Sequence, residues 1–130
     1  MKLLLDTHVI LWSTAQPESL SDSVAQELES EANELWFSPI SIWEILLLAE
    51  KGRIEFGSDP QTSVRSMLDR LPLKEAVINR EVAILSRNVD LPHQDPADRF
   101  LGATAVVYDL TLVTADSRMM RSKSFRVLPV

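Results

Sequence analysis

Lys2-Leu3-Leu4-Leu5-Asp6-Thr7 opens the chain, and Leu112-Val113-Thr114-Ala115-Asp116 repeats its pattern near the other end. Each is a short apolar run that stops at, or one residue before, an aspartate. Continuous rather than alternating apolarity is the mark of a strand covered on both faces. Working outward from the first run, residues 7–15 take helical spacing, with Val9, Leu11 and Trp12 as a core stripe, until Pro17 ends it. Ser19-Leu20-Ser21-Asp22 reads as a capping signal for an acidic helix reaching about Asn33. Leu35-Trp36-Phe37-Ser38 predicts a second buried strand. Pro39 suits the first turn of a helix running through Glu44 to Glu50 or Lys51, with Gly52 as its terminator.

Further on, the pattern predicts a helix over 61–70, a strand over 73–78, a helix over 80–87 and a loop over 88–96. A helix from Pro96 to about Tyr108 leads into a strand over 111–114. A helical turn then starts at Asp116, and an edge strand covers 125–128 with Pro129 at its end. Strands alternating with helices predict an α/β domain of three layers, with a mostly parallel central sheet of four to five strands and helices on both faces. A chain of 130 residues fits a single domain over 1–130. In such sheets ligands sit beyond the carboxyl ends of the strands, where strand order reverses.

Composition narrows the chemistry. There is no cysteine, which excludes disulfides, a thiol nucleophile and thiolate metal sites, and two histidines make a zinc site a poor reading. No run is long enough to span a bilayer, and Asp6 interrupts what would be a signal-peptide core, so the chain reads as cytoplasmic with no membrane partner. The net charge of −6, from 13 basic and 19 acidic side chains, argues against coating nucleic acid by bulk attraction. It leaves room for carboxylates concentrated at a cation.

Asp6 and Asp116 each follow a predicted strand, so they converge if those strands are neighbours, although each also suits a helix N-cap. Glu44 sits in a helix that is apolar nearly all round, where a carboxylate loses solvation unless a partner or cation compensates. In Asp95-Pro96-Ala97-Asp98, Asp95 reads as an N-cap, and Asp98 in the first turn can both stabilise the helix and face a cleft. At an effective dielectric near 20, two like charges 4 Å apart cost about 4 kcal/mol. A hard divalent cation, Mg²⁺ or Mn²⁺, offsets that cost and directs the reading to phosphodiester hydrolysis.

At these residues the chain resembles a PIN-domain ribonuclease of the VapC toxin type. The similar segments are Leu3-Leu4-Leu5-Asp6-Thr7-His8, Ser38-Pro39-Ile40-Ser41-Ile42-Trp43-Glu44-Ile45, His93-Gln94-Asp95-Pro96-Ala97-Asp98-Arg99 and Leu112-Val113-Thr114-Ala115-Asp116-Ser117, in family order along nearly the whole chain. The resemblance implies a Mg²⁺- or Mn²⁺-dependent endoribonuclease with Asp6, Glu44, Asp98 and Asp116 as its acidic cluster, the metal held by Asp6, Asp98 and Asp116. It also implies Thr114 as a hydroxyl near the metal, on the substrate side, together with a homodimer and a cognate antitoxin.

Arg99 is expected to contact phosphate or pair with an acid. Arg118, Arg121, Lys123 and Arg126 gather basic charge after Asp116, so Arg118 and Arg121 are candidate RNA contacts. Trp43, Leu46, Leu47 and Leu48 exceed what one helix face buries, and Trp43, Leu46 and Leu47 are candidate antitoxin contacts. His8 and His93 read as structural hydrogen-bonding residues, and Trp12 and Trp36 as core. A catalytically silent binding or dimerisation module on the same fold is the alternative. A haloacid-dehalogenase-like phosphatase and a response-regulator receiver lack support, because Asp6 stands between Leu5 and Thr7 without a second acid.

Overall fold

A computed structural model describes residues 1–130. The two diagnostic runs are strands β1 (Lys2–Leu5) and β4 (Thr111–Thr114), and they lie side by side in parallel with Leu5 opposite Val113. Helix α1 (Thr7–Ala15) follows β1, and α2 (Asp22–Glu29) leads to β2 (Glu34–Phe37). Next come α3 (Pro39–Glu50), α4 (Pro60–Arg70) and β3 (Leu73–Glu75). Helices α5 (Arg80–Leu85) and α6 (Pro96–Val107) precede β4, and α7 (Ser117–Met120) and β5 (Val127–Pro129) close the chain. The five strands pair in the order β3-β2-β1-β4-β5, all parallel.

The continuous apolarity of β1 has a direct cause in the layers. Leu3 and Leu5 pack on one face with Val9, Val24, Ile45, Val64 and Met67. Leu4 points to the other face, against Leu101, Ala105, Leu112 and Met119. All three leucines are at most 2% exposed, and each such burial is worth roughly 1.5–3 kcal/mol. No helix is long and apolar enough to cross a membrane.

Several boundaries differ from the pattern. Helix α2 stops at Glu29 rather than Asn33, because the Asn33 side chain turns back and donates to the Glu27 carbonyl at 2.8 Å and to its carboxylate. Strand β3 ends at Glu75: after Ala76 donates to the Phe37 carbonyl the chain leaves the sheet, and the Val77 carbonyl accepts from the Tyr108 hydroxyl. Strand β5 starts later than expected and takes in Pro129, harmless there because β5 is an edge. Gly52 ends α3 as expected, with φ +68°, while Gly52 and Arg53 donate to the carbonyls of Ala49 and Leu48. Helix α3 is less enclosed than its apolarity suggests, since only Ser41 and Ile45 are buried and Trp43 is 50% exposed.

Strand order reverses between β1 and β4. β2 and β3 extend to one side and β5 to the other, so the cleft position is set at the carboxyl ends of these two central strands. Helix α6 packs closely against two connecting segments at Gly102, where an added Cβ would lie 2.9 Å from the Phe125 ring and 3.3 Å from Val89. Gly102→Val is therefore expected to destabilise the protein by about 1–3 kcal/mol through overpacking. The check is the shift in urea midpoint, and an unchanged midpoint would show that Phe125 yields freely.

Candidate active site

Asp6 sits directly beyond β1. Its backbone N–H donates to the Val113 carbonyl at 3.0 Å, which continues the sheet pairing by one step. One carboxylate oxygen accepts the Thr7 N–H at 2.7 Å and caps α1, while the other accepts the Thr114 hydroxyl at 2.6 Å. Thr114 in turn accepts the Asp116 N–H at 3.0 Å, so one buried hydroxyl ties both acids to the rim. Asp116 caps α7 and takes the Arg118 guanidinium at 2.8 Å. Helix α3 is fixed beside α1 by the Thr7 hydroxyl donating to Ser41 at 3.0 Å, and that contact helps bring Glu44 to the same opening. Asp95 caps α6, and Asp98 stands in its first turn.

The result is one cleft of about 380 Å³ lined by Asp6, Glu44, Asp95, Asp98 and Asp116, together with His8, Trp12, Ala115 and Arg118. Its electrostatics follow from crowding of carboxylates in a partly dry space. Burial pushes Asp6 up, against its hydrogen bonds from Thr114 and Thr7, and the charge of Asp116 adds to the rise. Burial likewise raises Glu44, with Asp6 and Asp95 reinforcing it. Asp98 is pushed up to about 6, first by burial and then by Asp95, Asp6 and Asp116, although the His93 hydrogen bond opposes this. Asp116 goes the other way, because the Arg118 guanidinium holds its carboxyl below the usual range.

An all-oxygen set of mutually repelling carboxylates suits a hard divalent cation rather than a soft one. No three His, Asp or Glu side chains are gathered closely enough to make a finished cage. Meanwhile Arg118 spans two of the acids, at 2.8 Å from Asp116 and 3.5 Å from Asp98.

The PIN domain family model matches residues 3–124. The chain belongs to the PIN-domain family. Ribonuclease VapC22 of Mycobacterium tuberculosis is 34% identical over 98% of this chain and 97% of its own length. Among solved structures, VapBC2 from Rickettsia felis bound to a DNA fragment from its promoter aligns with a TM-score of 0.74 at 17% identity, over 99% of this chain and 98% of that one. DNA-bound VapBC from Salmonella typhimurium aligns with a TM-score of 0.65 at 20% identity, over 99% and 98%. At these identities the structural likeness is one of fold.

In this PIN domain the four acids expected from the sequence line one opening, and so does Arg118. Other assignments change. Thr114 is fully buried, so its hydroxyl links Asp6 to Asp116 and does not face a substrate. Arg99 is 5% exposed, lies outside the cleft lining and makes no ion pair with an acid. It donates to the carbonyls of Ser86 at 2.7 Å, Val89 at 3.1 Å, His93 at 3.0 Å and Leu91 at 3.4 Å. That clamp holds the loop before α6, and His93 on that loop meets Asp98 at 2.7 Å. Arg121 is exposed and is not part of the cleft lining.

On α3, Leu46 and Leu48 pack against the core. Trp43 and Leu47, four residues apart, share one helix face. Trp12 is half-buried and lines the cleft with His8, against the expectation of a core tryptophan. Their spacing from Asp6, on the helix it caps, was the available signal.

Arg99→Met removes every donor of the clamp and leaves backbone carbonyls unpaired, each costing about 1–3 kcal/mol where water cannot enter. A destabilisation of at least about 2 kcal/mol is expected in chemical denaturation, with faster amide exchange over residues 88–95. Unaltered exchange there would refute the clamp.

Asp98 also sets a pH dependence. In the unfolded chain an aspartate titrates near 4, and here near 6. The folded state therefore holds the proton more tightly, and Asp98 reduces stability as pH rises from about 4 to about 6. In EDTA, Asp98→Asn should match the wild type near pH 4 and become progressively more stable than it up to pH 7 in calorimetry. A difference that does not vary with pH would contradict the raised value.

Proposed function

We propose that the chain is a metal-dependent endoribonuclease that hydrolyses RNA phosphodiester bonds in the cytoplasm as the toxin of a toxin–antitoxin pair. The observation that carries this reading is the meeting of Asp6, Glu44, Asp98 and Asp116, from four separate segments, in one cleft where strand order reverses. The ribonuclease name of the relative from M. tuberculosis supports it.

Asp6, Asp98 and Asp116 would hold Mg²⁺ or Mn²⁺, Asp6 and Asp116 being fixed by the Thr114 hydroxyl and Asp98 by His93. When bound, the ion supplies positive charge to the phosphate oxygens and makes an attacking water more acidic. Glu44 caps no helix and carries a raised pKa, so it suits the role of proton acceptor from that water. Arg118, at the opening, faces the incoming phosphate as a cation. A homodimer is part of this reading. An apolar antitoxin segment would cover Trp43 and Leu47 on α3, a fit supported by the half-exposed Trp43 and by structural neighbours that are VapBC complexes.

The test uses purified protein and structured RNA with Mn²⁺, Mg²⁺ or EDTA. Cleavage should need the divalent ion, and Asp6→Asn or Asp116→Asn should lower its rate by at least about a hundredfold. The ion should also raise the melting temperature of the wild type and not that of Asp98→Asn. Cleavage that survives both chelation and Asp6→Asn would sink the mechanism, and an intact protein that cuts no RNA would favour a silent binding module.

A further inference from the structure

The cleft has an aromatic wall that the acidic chemistry leaves unused. Helix α1 is capped by Asp6 and rises away from the acids, with His8 and Trp12 four residues apart on the side that faces the opening. At 1.5 Å per residue, His8 lies about 3 Å and Trp12 about 9 Å along the axis from Asp6. Both rings therefore border the same opening as the acids. His8 is exposed and Trp12 half-exposed. Their ring centroids are 5.9 Å apart with planes at 51°, so the rings do not lie flat on one another.

Charge gives this wall a use in RNA binding. The chain carries a net charge of −6, and among the cleft residues five carboxylates face a single arginine. Without a bound cation phosphates gain little there from electrostatics, so a term that does not depend on charge would add to binding. Base stacking on an aromatic ring is such a term, and it tolerates any base.

We propose that Trp12 and His8 form a nucleobase-stacking subsite beside the acids, which takes the base next to the scissile phosphate of an unpaired RNA strand. A duplex keeps its base faces inside its own stack and cannot offer one to the indole. The subsite rests on the nuclease reading for its neighbour, the scissile phosphate, but its binding can be measured without cleavage.

The experiment follows a short single-stranded oligoribonucleotide carrying 2-aminopurine, whose emission falls when the base stacks, titrated with the full chain in EDTA. Cleavage of the same strand, free or annealed to its complement, is followed separately in Mn²⁺. The wild type should quench the probe. Trp12→Leu and His8→Leu should weaken binding, Trp12→Leu by about tenfold, the scale of one stacked base. Trp12→Phe should restore most of the quench, and the annealed strand should be cut far more slowly than the free one. Melting temperatures check folding, and His8→Leu, at an exposed position, keeps the test decisive if Trp12→Leu fails to fold.

Equal quenching by the wild type and both leucine variants would overturn the subsite while leaving the nuclease intact, as would a wild type that binds no single strand. Equal cleavage of free and annealed strands would overturn it too. Quenching that depends on Trp12 in a protein that cuts no RNA would support the subsite and refute the nuclease reading.

Discussion

Five carboxylates share one partly dry opening, and the repulsion among them is the constraint that the surrounding structure must withstand. It is met by geometry fixed from below. The register between β1 and β4 puts Asp6 beside Thr114, and a single buried hydroxyl then joins Asp6 to the backbone of Asp116. Because Thr114 is fully buried, that link exchanges little with solvent and keeps both acids at the rim. A slip of one residue in β4 would turn its side chains to the opposite face, moving Val113 and Leu112 each into the other's core layer and removing the hydroxyl from Asp6.

Helix capping and the lining of the cleft use the same side chains. Asp6, Asp95 and Asp116 each accept a backbone N–H at the start of a helix. The helix start supplies partial positive charge that lowers the cost of holding a carboxylate in place. Capping a helix and facing the cleft, alternatives in the sequence, are thus compatible in the molecule. Glu44 caps no helix: it projects from the side of α3, and burial raises its pKa.

What was legible in the sequence depended on whether the partner was a side chain. Asp6 and Asp116 could be placed because strand ends are visible in apolar runs, and Glu44 because a carboxylate among Ile and Leu is conspicuous. Arg99 was misread because its partners are four backbone carbonyls, which any residue carries. Trp12 falls on the expected core stripe with Val9 and Leu11, in a run, 9–12, that is apolar throughout. Helical periodicity then cannot say which ring faces the sheet and which the opening. The surplus apolar residues of α3 have the same origin: Leu46 and Leu48 turn inward and Trp43 outward, a division set by how α3 lies on its neighbours. The end of α2 depends on a side chain beyond the helix, Asn33, reaching back to it.

A structural network of ion pairs and a cation-binding cleft can contain the same residues, and they differ in whether the chain satisfies its own charges. Here it does so in part only. Arg118 neutralises Asp116 and lowers its pKa, but its side chain is 52% exposed and it approaches Asp98 only to 3.5 Å. An exposed pair of this kind is screened by water and contributes little to stability. Asp98 keeps a pKa of about 6 even with His93 at 2.7 Å, and Asp6 and Glu44 remain raised as well. In all three acids burial outweighs the hydrogen bonds that oppose it. A fold selected for stability alone would be better served by replacing them with neutral residues. They meet beyond the carboxyl ends of β1 and β4, where strand order reverses, in an opening that solvent can enter.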